Sequence, residues 1–437
     1  MKRLLSWLAA ALILIPSAAQ ARLDSAERKI VRTVDAERPR TVALLERLVN
    51  QNSGSLNLAG VEAVGRAMRA ELEPLGFDIR WVPMAAAGRA GHLVAVHRGN
   101  GRGTKMLLIG HLDTVFEPDS PFQLFRLKDA ATAEGPGVGD DKGGMAVMVA
   151  ALRAMHAAGT LKQANIEIVL TGDEEDVGLP VEIARRDLVA AASRADVALD
   201  FEGLAREDDG RDMGSIARRG AASWTVTTRG RTGHSSGIFS ETAGNGAIYE
   251  LARILAAFRA ELPEPNLTFN VGLAVGGATA ELDRDRIRGT ATGKANIIPP
   301  VAIARGDLRA LSLDQQQRVM AKMRAIVARH LPGTDAEIAF DDDAYPPMAP
   351  TAANRALLAR LNAVNRDLGL AAMGELDPLK RGAGDIGFVA HLLPGLVGLG
   401  AAGRGSHAPG ETIDLASLPR QAKRAAILMT RLARERR

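Results

Sequence analysis

Three carboxylates stand side by side at the end of an apolar run: Asp173, Glu174 and Glu175 in "VLTGDEEDVG", residues 169–178. Like charges at the mouth of a strand repel one another, so either a cation sits against them or one keeps its proton at neutral pH. Similar groups recur at other segment ends. "LLIGHLDTV" carries His111 and Asp113, "GPGVGDDKGG" carries Asp140 and Asp141, "ALDFEG" carries Asp200 and Glu202, and "GAAGRGSHAPGE" carries His407. Two histidines with several carboxylates, in a chain without cysteine, form a donor set suited to zinc or a related divalent ion. Such a cation would also remove the repulsion among the acids. The pattern points to two metals sharing one carboxylate, about 3.5–4 Å apart, able to activate one water and polarise one carbonyl. One of the adjacent glutamates would then bind metal while its neighbour moves protons.

Each piece alone is weak. An acid pair after a strand is usually a solvated turn, a histidine at a strand end is usually structural, and the glycines of "DDKGG" could serve only a turn that needs positive φ. Their recurrence together, all at strand ends, favours one shared site. His92, His97, His156, His330 and His391 lack such company and read as structural or surface residues.

The elements that must position these groups are legible as alternating segments. "FDIRWV" from 77, "HLVAVH" from 92, "KMLLIG" from 105, "NIEIVLTG" from 165 and "ADVALDF" from 195 read as strands. Residues 33–49, 60–73, 143–159 and 181–192 carry helical patterns. That alternation predicts an α/β fold with a mixed, mostly parallel sheet, in which reactive groups gather where strands end. Near residue 215 the pattern changes. "ASWTVTTRG", a long helix from 242, "LTFNVGLAV", "AIARGDLRAL", a helix over 312–331 and "DAEIAF" give a βαββαβ order, suited to a two-layer α+β module with an antiparallel sheet. We expect a catalytic domain built from 22–215 and 342–437, interrupted by a lid and dimerisation domain at 216–341. A homodimer through the lid is expected, because an exposed β edge and a long helix can pair with their copies.

Composition narrows the function classes. The chain has 437 residues, 46% hydrophobic and 24% charged, as in ordinary globular proteins. Aromatic residues make up only 3%, which argues against stacking on bases. The formal net charge is +4, and Lys2 and Arg3 supply two of those charges, leaving +2 for the rest, too weak a balance to imply nucleic acid. Those two residues open "MKRLLSWLAAALILIPSAAQA", whose apolar run from Leu4 to Ile15 is short of the about 20 residues that span a bilayer. With the small-residue site Ala19-Gln20-Ala21 it reads as an export signal over 1–21, cut after Ala21. A periplasmic or secreted protein without stable membrane insertion is expected.

Taken in order, HLD, GxGxxDDKGG, DEE, a later Glu and a late His resemble the zinc-dependent aminoacylase and carboxypeptidase family of metallopeptidases. The likeness is strongest to its glutamate carboxypeptidase, folate-hydrolysing branch, and it runs over nearly all of the chain after the signal. The resemblance implies two zinc ions per subunit, with His111 and Glu202 on one, Glu175 and His407 on the other, and Asp140 bridging. It makes Asp113 the residue that orients His111. Glu174 becomes the general base that deprotonates the attacking water and passes the proton to the leaving nitrogen. "GRTGHSS" resembles a motif whose His234 reaches the partner subunit's site in dimeric members, and "NIIPPVAIARGDLRAL" makes Asn296 and Arg309 substrate-binding candidates. Three departures concern the pocket. "EG" replaces Glu-Pro after the ligand Glu202, "RGAGDIGF" keeps Gly384 and Asp385 but lacks a threonine, and "GHSS" replaces Gly-His-Ala-Gly. The implied activity is exopeptidase cleavage of a small peptide or pteroyl amino acid. An N-acyl amino acid deacylase and a catalytically inactive binding protein are the alternatives.

Overall fold

The computed structural model describes residues 23–435, so the expected signal segment lies outside the described residues. Six strands form the central sheet, in the spatial order Asp78–Pro83, Gly91–His97, Asn165–Thr171, Lys105–His111, Val197–Asp200 and Gly395–Val397. The sheet is mixed. Its first two pairings are antiparallel and the next three parallel. The parallel part is the part buried on both faces, which explains why its sequences are continuous apolar runs rather than alternating ones. Lys105–His111, for example, is buried at every position after Lys105.

Helix Lys142–Ala158 is apolar around its whole circumference, and a helix of that kind must lie inside. It does, buried from Lys142 to Met155 and packed against helices Ser25–Ala36 and Ser417–Arg434. Its glycines are steric requirements: a Cβ at Gly144 would stand 2.0 Å from both Asp141 Oδ1 and the Phe201 carbonyl. The far face of the sheet has its own core of Val94, Leu107, Val169, Ile386 and Val397.

A second sheet lies between residues 222 and 340, with four antiparallel strands in the order Thr268–Gly277, Val301–Arg309, Ala222–Gly230, Thr334–Phe340. Ala222–Gly230 alternates buried and half-buried positions, as expected of a strand with one covered face. Helices Ala247–Glu261 and Leu313–Val327 cover that face, enclosing Trp224, Ile254, Phe258, Val319 and Met323 in a separate hydrophobic cluster. The chain enters and leaves this unit through two segments that run side by side, bridged at Arg218–Met348 and Ala221–Tyr345.

Several expectations shift in detail. The helix expected from 242 starts at Ala247, because Gly244 and Gly246 take positive φ of 71° and 76°. The stretch 33–49 is two helices, Ser25–Ala36 and Arg38–Val49, the second with Pro39 in its first turn. The helix expected at 181–192 is broken at Arg185 into Val181–Ala184 and Arg186–Ala192. A hairpin, Thr279–Leu282 with Gly289–Thr292, was not foreseen, since its polar turn hides the short strands.

Candidate metal centre

Three adjacent parallel strands deliver the site at their C-terminal ends, where open α/β sheets place their chemistry. Lys105–His111 ends on His111 itself, Asn165–Thr171 runs out into Asp173–Glu175, and Val197–Asp200 leads to Glu202. Asp140 comes from the turn before helix Lys142–Ala158, and its peptide bond to Asp141 is cis. His407 comes from a late loop and has φ of 66°, a left-handed conformation uncommon for a side-chain-bearing residue.

Asp140 lies at the centre. Its Oδ1 is 3.1 Å from His111 Nε2, and its Oδ2 is 3.2 Å from His407 Nε2. His407 Nε2 is also 3.1 Å from Glu175 Oε2. Two sets of three ligand atoms therefore gather within 4.8 Å, one from His111, Asp140 and Glu202, the other from Asp140, Glu175 and His407. Asp140 belongs to both.

The charges ask for cations. Burial and the neighbouring acids push Glu174 well above the carboxylate range, and burial raises Glu175 to about 7. Hydrogen bonds to Asp140 and Glu175 raise His407 to about 11. Burial would also raise Asp140, but the bonds from His111 and His407 hold it low. Asp141 Oδ1 and Asp200 Oδ2 are buried with no hydrogen-bond partner among the described residues. Imidazole and carboxylate donors, one carboxylate shared between two sets, and orphaned acid oxygens behind them together fit a pair of divalent ions.

The two adjacent glutamates are not equivalent. Glu175 is engaged by His407, whereas the Glu174 carboxylate makes no hydrogen bond among the described residues and lies within electrostatic reach of His111, Glu202 and Glu175. Their backbones are fixed by one side chain. Asp113 accepts from Glu174 N–H through Oδ1 and from Glu175 N–H through Oδ2, each at 3.0 Å. The Ser55 hydroxyl donates to the same Oδ2 at 2.6 Å, and His111 Nδ1 lies 3.1 Å from the Asp113 carbonyl and 3.4 Å from its carboxylate. Asp113 thus faces His111 and also holds the DEE loop.

Sequence reading missed four supports. Glu411, buried, accepts from the N–H groups of Gly137, Gly139 and Asp140 at 2.9, 2.7 and 3.0 Å, which fixes the turn that presents Asp140. Arg218 donates to Glu202 Oε1 at 2.5 Å. It fits only because Gly384 is a glycine, since a Cβ there would come within 2.3 Å of the guanidinium. Arg185, fully buried, pairs with Asp173 at 2.6 Å and Asp385 at 2.7 Å. Tyr345, on the segment that leaves the second sheet, donates its hydroxyl to the Glu174 carbonyl at 2.6 Å and lies 3.1 Å from Arg185 Nη2. Nothing local in the sequence marks these four.

Tyr345 gives a prediction. A neutral hydrogen bond contributes about 0.5–1.5 kcal/mol net. Tyr345→Phe is therefore expected to lower kcat by roughly 2–10-fold, leaving KM and metal content in place. Steady-state kinetics with metal analysis check it, and an unchanged kcat would show that the Glu174 carbonyl is held adequately without the phenol.

The remaining candidates lie on the second sheet unit. His234 is exposed, pairs across to Ile297, and has Nδ1 2.8 Å from Ser236 Oγ. Exposed Asn296 accepts from Ser235 N–H through its carbonyl at 3.0 Å. No hydrogen bond or ion pair among the described residues joins either to the candidate metal ligands. Arg309 bonds Asp307 at 2.9 Å through Nε, and its Nη1 approaches the Gly382 backbone of the central unit.

Comparison with known proteins identifies a family. The model of peptidase family M20/M25/M40 matches residues 107–431. Carboxypeptidase G2 of Pseudomonas sp. (strain RS-16) is 26% identical over 403 residues, covering 90% of this chain and 89% of the relative. A succinyl-diaminopimelate desuccinylase of Acidiphilium cryptum is 33% identical over 285 residues, 63% of this chain and 69% of that one. Among solved structures, a dinuclear metal-binding peptidase of Bacillus subtilis shares the fold with a TM-score of 0.63 at 16% identity, covering 91% of this chain and 98% of the other.

Proposed function

The chain belongs to peptidase family M20/M25/M40 and is a hydrolytic enzyme, and from that premise we propose that it is an exported dizinc exopeptidase. It would cleave the amide bond of a C-terminal amino acid, in the manner of a glutamate carboxypeptidase. His111, Asp140 and Glu202 would hold one ion, and Asp140, Glu175 and His407 the other. The ions, when bound, supply Lewis-acid polarisation of a carbonyl and acidify a water. The observation that carries the reading is the contrast between Glu175, engaged by His407, and Glu174, unengaged beside it. A free carboxylate at that place takes the proton of the attacking water and returns it to the leaving nitrogen. Arg309 has Nη1 and Nη2 without hydrogen-bond partners among the described residues, which suits a bidentate grip on a substrate carboxylate.

Glu175→Ala is expected to lose one ion, because it deletes a ligand and leaves a set of two. Metal analysis of the purified variant reads this directly, and full retention of two ions would remove Glu175 from the ligand set. Product analysis with benzoyl-glutamate beside acetylated amino acids separates the exopeptidase from an N-acyl amino acid deacylase. The likeness to a desuccinylase keeps the latter in view.

Residues 216–341 act as a lid in this reading, supported by their own hydrophobic cluster and the paired hinge segments. Homodimerisation through the lid is supported by strand Thr268–Gly277 at the edge of its sheet and by exposed Phe239, Ile248 and Tyr249. It would carry His234 to the partner subunit's site as a donor to the developing oxyanion. A dimeric mass in solution at micromolar protein is the expected result, and a fully active monomer would remove His234 from the mechanism. Export predicts a mature chain beginning at Arg22, which N-terminal sequencing of the periplasmic fraction tests.

A further inference from the structure

A cavity of about 330 Å³ opens between the loop that follows Glu202 and the start of helix Ser417–Arg434, and none of the candidate metal ligands lines it. Its charged lining is Arg206, Arg211, Arg420 and Arg424 against Asp209 and Asp212. Arg420 and Arg424 stand four residues apart on the helix and so share a face.

These charges do not cancel. Arg211 is matched by Asp209, at 2.6 Å on the surface. The other three arginines share two acids. Asp212 accepts from Arg206 Nε at 2.8 Å and from Arg424 Nη1 at 2.6 Å, and Asp414, just outside the lining, accepts from Arg206 Nη2 at 2.9 Å. Arg420 is left over. Its Nε is 3.2 Å from Asp212 Oδ2 and its Nη2 3.8 Å from Asp414 Oδ2, yet both nitrogens are buried and neither makes a hydrogen bond among the described residues. The helix adds to the excess, since its N-terminal end carries partial positive charge and its first turn holds no acid. Burial, with Arg420 and Arg206 close by, lowers the pKa of Arg424.

Donors are idle as well as charge. Arg206 uses Nε and Nη2 and leaves Nη1, whereas Arg424 uses Nε and Nη1 and leaves Nη2. Arg424 is only 3% exposed, so an idle donor there is costly unless something in the cavity accepts from it. The facing wall leaves room, because a Cβ on Gly210 would meet nothing within 4 Å. Planar guanidinium forks with spare N–H groups match the oxygens of a phosphate-type anion.

We propose that this cavity binds a small oxyanion of the phosphate type through Arg206, Arg420 and Arg424, and that the bound anion ties the loop after Glu202 to the last helix. The inference stands apart from the reaction performed at the metal centre.

Calorimetry on the full metal-loaded protein tests it, with inorganic phosphate as the probe and chloride at equal ionic strength as the control. Wild type should bind phosphate saturably at millimolar concentrations or below. Loss of a charge-assisted hydrogen bond corresponds to roughly 10–100-fold in Kd, the weakening expected in Arg420→Gln and, as a second variant, in Arg206→Gln. In phosphate-free buffer Arg420→Gln should melt no lower than wild type, because it removes the odd charge, and added phosphate should raise Tm in wild type alone. A mere partner of Asp212 would instead lower Tm in both buffers by the same amount. No saturable binding to wild type overturns the proposal, as does equal affinity in the arginine variants or an equal response to chloride. Phosphate can also coordinate metal, so Glu175→Ala is measured beside them. Binding lost there and kept in Arg420→Gln would place the anion on the metals and overturn the site. Glycerol 3-phosphate, run beside inorganic phosphate, separates the sources. Tighter binding of the ester assigns the site to a phosphoryl group on a larger molecule, and tighter binding of the free ion assigns it to phosphate itself.

Discussion

Glu174→Gln is expected to retain both metal ions and to lose turnover by about 10²–10⁴-fold, the contribution typical of a positioned general base. Glutamine keeps the shape of the side chain but cannot take a proton from water. The structure explains why metal should stay. The Glu174 carboxylate is in neither ligand set, and its backbone is held from behind by Asp113 and Tyr345, contacts that the substitution leaves untouched. Substrate binding should persist for the same reason, so the deficit falls on kcat. Metal content and kinetics on one preparation check this against Glu175→Ala, the neighbour expected to lose an ion. Wild-type turnover in Glu174→Gln, or metal loss equal to that of Glu175→Ala, would assign the base elsewhere.

Why that contrast between neighbours was partly legible in sequence, and its supports were not, follows from sequence distance. His111, Asp140, Glu175, Glu202 and His407 each sit beside a local signal, an apolar run that stops or a glycine-rich turn, and the physics that ends a strand also marks its last residues. Glu411 and the turn it fixes are separated by more than 270 positions. Arg185 and Asp385 are 200 positions apart, and Tyr345 lies 171 from Glu174. Such pairings exist only once the chain has folded, and a lone Arg or Glu reads as surface charge until then. The fold shows the same division. Strands buried on both faces announced themselves as apolar runs, whereas the Thr279–Thr292 hairpin has mostly exposed strands around a polar turn and gave no period to read. Helix starts moved wherever glycines at positive φ delayed the first turn, as at Ala247.

Arg185→Met should destabilise the fold by about 3–5 kcal/mol, the usual result of breaking a buried ion pair from one side. Arg185 is 2% exposed and bonds Asp173, 0% exposed, and Asp385, 3% exposed, at 2.6 and 2.7 Å. Further bonds reach the Asp173 carbonyl and the Tyr345 hydroxyl, and the guanidinium lies 5.2 Å from the Phe388 ring centre. Methionine fills much of the space but leaves two carboxylates buried without their cation, and that desolvation is the source of the loss. The pair need not be a net stabiliser against an apolar triad. Adding Asp173→Asn and Asp385→Asn to Arg185→Met should therefore recover part of the loss, whereas either asparagine change in the wild-type background should cost stability. Denaturant midpoints across this set measure the coupling. A single Arg185→Met as stable as wild type within about 1 kcal/mol would show that the acids find other partners. The result also bears on catalysis, because Asp173 begins the loop that carries Glu174 and Glu175. Of the three adjacent acids, Asp173 has a permanent cation in Arg185, Glu175 faces His407 and the metal set, and only Glu174 is left with a free carboxylate. A protein that needed three surface acids for solubility would have no reason to bury an arginine under the first of them. One that needs the second acid unpaired, beside a ligand, must hold the loop from beneath, and Arg185 is placed to do that.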